Sequence, residues 1–258
     1  MLKFFRRIRR KLIDGGNPPV RQVSLKRYLI YAIGEMLLVM IGILLALQVN
    51  NNNQYRIDRK HEKHLIEQLN AEFSDNKIQL EKVRKGHADA YEKLNLLINH
   101  FPIDPNNFNL DTLNYYYVEG VYTRSSFNPN NTTINSINDN VSFNIIRNRQ
   151  LRQKLQIWNA ILEDYLEDEK ALTAFLDNII YPYQMEHGLI DPLLFKDERL
   201  DLSFLSTPNF EAVLKSFRWK FTLLLDQDFA QKKGYELEID ILMKTIDEII
   251  ELTESKNN

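Results

Sequence analysis

Residues 29–49, LIYAIGEMLLVMIGILLALQV, form an apolar run of 21 in which Glu35 is the single charge. Few folds accept such a stretch, because a helix that is apolar on every side has no polar face to give to water. At 1.5 Å per residue it reaches about 31 Å, close to the roughly 30 Å of a bilayer's hydrocarbon core. It is longer than the roughly 7–15 apolar residues of a secretory signal. Gln48-Val49-Asn50-Asn51 also offers no small-x-small cleavage site. The reading is a retained transmembrane helix over residues 28–49, with a cleaved signal or a buried core helix as its rivals.

Charge sets the expected orientation. Residues 1–27 carry nine Lys and Arg against Asp14 alone, a net +8, while the other 231 residues net −10. Basic residues on a short flank resist translocation, so residues 1–27 are expected to stay in the cytoplasm, and the chain beyond the span enters the periplasm. The basic tail is also suited to anionic lipid head groups. Phe4, Phe5, Ile8 and Leu12 could dip into the bilayer, although a topology signal alone explains the charges. The overall charge of −2 excludes bulk electrostatic binding of nucleic acid. The absence of cysteine removes disulfides and thiolate metal sites.

Within the span, Glu35 must be protonated, paired or lifted toward interfacial water, so it is either functional or interfacial. Gly42 and Ala46 form a small-xxx-small pair, with Gly34 eight residues earlier. Such a strip lets a second copy approach closely, which makes a homodimer an expected partner.

The segments YAIGE (31–35) and VMIGILLALQVNN (39–51), following FFRRIR (4–9), resemble a family of single-pass membrane proteins of Bacteroidota with no assigned function. A second stretch is similar too: Phe127-Asn128-Pro129, then Ile146-Arg147-Asn148 and Leu151-Arg152, where that family has an aromatic-x-Pro turn and the start of a helix. The chain departs from the pattern at two places. It has Asn52 where the family usually has tryptophan after the Asn pair, and Asn138-Asp139-Asn140 where the family often has Ser-Gly. The resemblance implies a helical outer domain and carries no activity with it.

Residues 50–56 read as a polar linker, and residues 57–258 as the periplasmic domain. In that domain Ile66, Leu69, Phe73, Leu80, Val83, Ala90, Leu94, Leu97 and Phe101 fill nine of eleven heptad positions, with Asn76 and His87 in the other two. A coiled-coil-like helix over about 57–99 follows, pairing either with a copy of itself or inside its own domain. Leu151, Leu155, Trp158, Leu162, Tyr165, Leu172, Leu176 and Ile179 repeat the spacing with Glu169 intervening, which makes internal pairing the simpler solution. Gly86 beside His87 marks a bend or a close contact. Residues 102–144 read as a loop-rich insert containing an amphipathic piece at 110–122. Apolar periodicity returns from Phe210 to Leu224 and from Tyr235 to Ile249. The expected fold is all-α: one N-terminal transmembrane helix, then an antiparallel bundle of about four long helices.

Catalytic signals are missing. His61 and His64 make an incomplete metal pair, His87 reads as a hydrogen-bonded core residue, and no phosphate loop or nucleophile elbow occurs, so no metal or cofactor is expected. The acids Glu163, Asp164, Glu167, Asp168 and Glu169 read as a solvated helix face. Three consecutive tyrosines cannot all enter one core, so Tyr115, Tyr116, Tyr117, Tyr122 and Arg124 mark either a binding surface or a packed loop over the domain's end. The leading functional reading is a membrane-tethered periplasmic module that binds a protein or ligand. A sensory input module with a separate cytoplasmic partner is the alternative, and a tethered enzyme the third.

Overall fold

The computed structural model describes residues 25–104, 106–122, 125–137, 143–187, 202–234 and 236–254. The basic tail up to residue 24 and Arg124 lie outside them. The chain is all-helical among the described residues and divides into two units, Met1–Asp58 and Arg59–Asn258.

Helix α1 is assigned over Leu25–Ile98. The polar stretch 50–56 is helical rather than a break. No proline or glycine interrupts it, each asparagine costs only a few tenths of a kcal/mol, and extending an existing helix needs no new nucleus. Amide side chains also pair along it, with Gln48 to Asn52 at 3.5 Å and Gln54 to Asp58 at 2.9 Å.

In the second unit, the α1 seam from Ile66 to Leu97 is buried within the chain's own fold, including Asn76 and His87. The core opposite is built by α4 (Arg149–Phe175), α6 (Pro208–Leu225) and α8 (Glu238–Glu254). Phe73 meets Trp158 edge-to-face at 4.8 Å, and His87 meets Phe221 at 5.9 Å. Helix α8 runs along α4 and also touches α6. Asn70 of α1 donates to Thr253 of α8 at 2.9 Å, and Arg84 pairs with Asp240 at 2.9 Å. Shorter elements are α2 (Leu110–Tyr117), α3 (Thr132–Ile137), α5 (Tyr181–Glu186) and α7 (Gln227–Lys233).

Local chemistry sets the boundaries. Asn148 caps α4 by accepting from the N–H groups of Gln150 and Leu151 at 3.0 and 3.2 Å. Asn109 does the same for α2, and Thr207 with Pro208 opens α6. Gly234, at φ +80°, follows α7, a conformation that favours glycine.

One seam position moves. Ile179 was expected inside, but it is 43% exposed, whereas Ile180 is buried. A π-turn at Leu176–Ile180 inserts the extra residue that shifts the phase. A second π-turn at Val118–Tyr122 follows α2, and there Gly120 lies against α1. A Cβ on Gly120 would stand 3.0 Å from the Leu94 backbone nitrogen.

Candidate functional site

Two features stand out, one in each unit. In the first, every large apolar side chain described from Leu29 to Val49 is exposed. The helix contains an 18-residue window of mean hydropathy 2.2, none of it buried, and is long and apolar enough to cross a membrane. A core helix of a water-soluble domain would instead cover its apolar residues. Glu35 lies on this stretch and is exposed, as are Gly34, Gly42 and Ala46. Space around both glycines is open to 4 Å.

The second feature is a set of buried polar side chains that grip the backbone of residues 125–134 and 145–147. Glu62 accepts the N–H of Arg147 at 2.6 Å, and Arg59 donates to the Ile145 carbonyl at 3.2 Å. Glu72 accepts the N–H groups of Thr133 and Ile134 at 2.7 and 3.4 Å, serving the N-terminus of α3 from a distant part of the sequence. Asn76 both donates to the Asn130 carbonyl and accepts from the Asn130 N–H, each at 2.8 Å. These residues, apart from Arg59, are at least nine-tenths buried, so each bond also meets a desolvation cost that would otherwise stand unopposed.

His87, one of the two polar exceptions of the α1 seam, and Glu169, that of the α4 seam, line one cavity. The His87 Nε2 is 2.7 Å from the Ser125 carbonyl, which can only accept, so Nε2 carries the proton. Burial pushes the His87 pKa down, while the Ser125 hydrogen bond and the Glu169 charge oppose the shift. Glu169 accepts from the Tyr165 hydroxyl at 2.6 Å, the Ser126 hydroxyl at 3.0 Å and the Phe127 N–H at 3.1 Å. Burial, then the neighbouring Glu169 carboxylate, raises the Tyr165 pKa, so the phenol stays protonated and donates. Glu169 is therefore not on the solvated face with Glu163, Asp164 and Glu167, which are exposed. Its place in the α4 seam outweighs its acidic neighbours.

The tyrosines divide by helical phase. Tyr115 is 53% exposed, with Lys93 Nζ 5.9 Å from its ring centre, and Tyr116 is half-buried. Tyr117 is buried with its hydroxyl bonded to Gln184, and Tyr122 leans on it at 5.9 Å. Tyr117 thus has no face left for a partner. His61 and His64 are exposed, and no group of three metal-binding side chains occurs among the described residues.

Sequence reading placed His87 in the core and expected a bend or a close contact at Gly86, of which the structure has the contact, but it missed the role of Glu62 and Glu72. Asn76, His87 and Glu169 were visible as seam interruptions. Their backbone partners, 38 to 54 residues away, left no local sign. No protein family, curated protein or solved structure matches the chain.

Proposed function

We propose that the chain is a single-pass inner-membrane protein that holds a helical periplasmic domain at the bilayer and uses it as a binding or interaction module. The observation that carries this reading is the fully exposed apolar stretch from Leu29 to Val49. In water, these 14 uncovered large apolar side chains are untenable, since each costs roughly 1.5–3 kcal/mol to leave hydrated. The +8 flank preceding the stretch supports a cytoplasmic N-terminus. The resemblance of residues 31–51 to the Bacteroidota family supports this topology, with the periplasm proposed as the outer compartment. At neutral pH the basic flank meets anionic lipid, and a homodimer along Gly34, Gly42 and Ala46 fits the open face around them.

The binding part of the proposal rests on the outer domain's build. Residues 125–134 and 145–147 are held by hydrogen bonds to their backbone, so a partner meeting them would not bear the entropy cost of ordering them. Tyr115 and Tyr116 are the portions of the tyrosine cluster open to such a partner.

Because the chain contains no cysteine, single-cysteine labelling tests topology without background. An Asn258→Cys chain should react with a membrane-impermeant thiol reagent in spheroplasts, and a Lys3→Cys chain only after lysis. The reverse pattern, or release of the protein by alkaline carbonate, would overturn the proposal.

A further inference from the structure

The cavity between His87 and Glu169 is narrow, with a volume of about 30 Å³, and reaches the surface beside Ser126 and Thr173. That is about the share of volume one water takes in the liquid, and too small for a metabolite. The His87 ring is 1% exposed, and its Nδ1 has no hydrogen-bond partner. With the proton on Nε2, Nδ1 offers a lone pair and can only accept. A buried acceptor left unmatched costs about 1–3 kcal/mol, so the site calls for a donor.

Glu169 has the complementary need. An ionised carboxylate has about four acceptor positions. Three donors serve them: Tyr165 on Oε1, Ser126 on Oε2, and the Phe127 N–H shared between both oxygens at 3.2 and 3.1 Å. Ser125 and Thr173 line the same cavity and bring hydroxyl groups that can donate or accept. The opposite wall is hydrocarbon, formed by Leu172, Leu176, Phe217 and Phe221.

We propose that the cavity is a hydration site for a single water molecule, which donates one hydrogen bond to His87 Nδ1 and one to the Glu169 carboxylate. A water meets the rule that a buried site must offer two to four polar partners, and it has two hydrogens for two acceptors. Ammonium is the other small donor of this size. Its two remaining N–H groups would need the Ser125 and Thr173 hydroxyls as acceptors, which a water does not require. The water ties α1 to α4 at the one level where both seams lose their apolar residue. It also completes the hydrogen bonding beneath Ser125–Phe127.

The test is water-edited solid-state NMR of the full chain in bilayers, with ¹⁵N-labelled histidine. The His87 signals are assigned by their loss in His87→Gln. If that variant does not fold, a chain with His61, His64, His100 and His187 changed to Gln leaves His87 as the sole imidazole. The expected spectrum has the proton on Nε2, a hydrogen-bonded Nδ1, and magnetisation passing from water to the ring. A His87 ring that receives none while exposed His61 and His64 do would mean a dry cavity and overturn the proposal, as would a proton on Nδ1. Melting curves in ammonium and sodium chloride at equal ionic strength should coincide. A rise specific to ammonium would identify a bound cation instead and equally overturn it.

Discussion

Gly86 sits at the closest approach between α1 and the segment that begins at Ser125, and replacing it by alanine sets two effects of opposite sign against each other. Alanine in a helix interior gains about 1 kcal/mol over glycine. Against that, the new Cβ would stand 2.0 Å from Ser125 Oγ and 3.0 Å from Ser125 Cβ. Rotating the hydroxyl relieves the first contact but not the second. The Ser125 backbone is held by His87 and that of Phe127 by Glu169, so the segment cannot retreat without loosening both. Overpacking of this kind costs about 1–3 kcal/mol, and a weakened hydrogen bond adds about 1 kcal/mol. Gly86→Ala should therefore destabilise the outer domain by about 1–3 kcal/mol net, which lowers its melting temperature by roughly 2–12 °C. Ser125→Gly removes both clashing atoms. In the Gly86→Ala/Ser125→Gly chain the helix gain should remain without the collision, making it about 1 kcal/mol more stable than Ser125→Gly alone. Thermal unfolding followed by circular dichroism in detergent measures all four chains. If Gly86→Ala alone melts at or above the parent temperature, the close approach at Ser125 is not tight and the reasoning fails.

Adjacent tyrosines should differ sharply: Tyr117→Ala, which empties a buried site, should cost about 3–5 kcal/mol, and Tyr115→Ala less than about 0.5 kcal/mol, in the same melts. Asn148→Ala removes the α4 cap and should cost about 1 kcal/mol, with Asn148→Asp or Asn148→Ser restoring most of it. His87 should make the domain acid-sensitive. Its folded pKa lies below the unfolded value of about 6.5, so on acidification the unfolded chain takes up a proton first and stability falls between those two values. Above pH about 6.5 the group contributes no slope. His87→Gln should flatten the dependence of melting temperature on pH in that window, and identical slopes for the two chains would contradict it.

The apolar architecture was legible because it is periodic. Phe73, Leu80, Leu94, Trp158, Phe217 and Leu242 all lie where three-four spacing puts them, since each contact they need is set by helix geometry alone. The Asn148 and Asn109 caps act within three residues, but the apolar periodicity that located the helices does not single them out. What escaped was non-local or out of phase. The π-turn at Leu176–Ile180 exchanges Ile179 for Ile180, and no residue type announces it. The asparagine run at 50–56 suggested a break because propensity is weighed residue by residue, whereas a helix already under way extends cooperatively. Glu62 and Glu72 looked like ordinary surface acids on α1. Only the chain returning at Arg147 and Thr133 makes them interior.

The bonds from Glu62, Glu72, Asn76 and His87 all end on amide or carbonyl groups, which every residue possesses. The long helix therefore grips a contour rather than a spelling. The grip on position 133 would survive a change of its side chain, whereas lengthening or trimming the segment by one residue would misalign several grips at once.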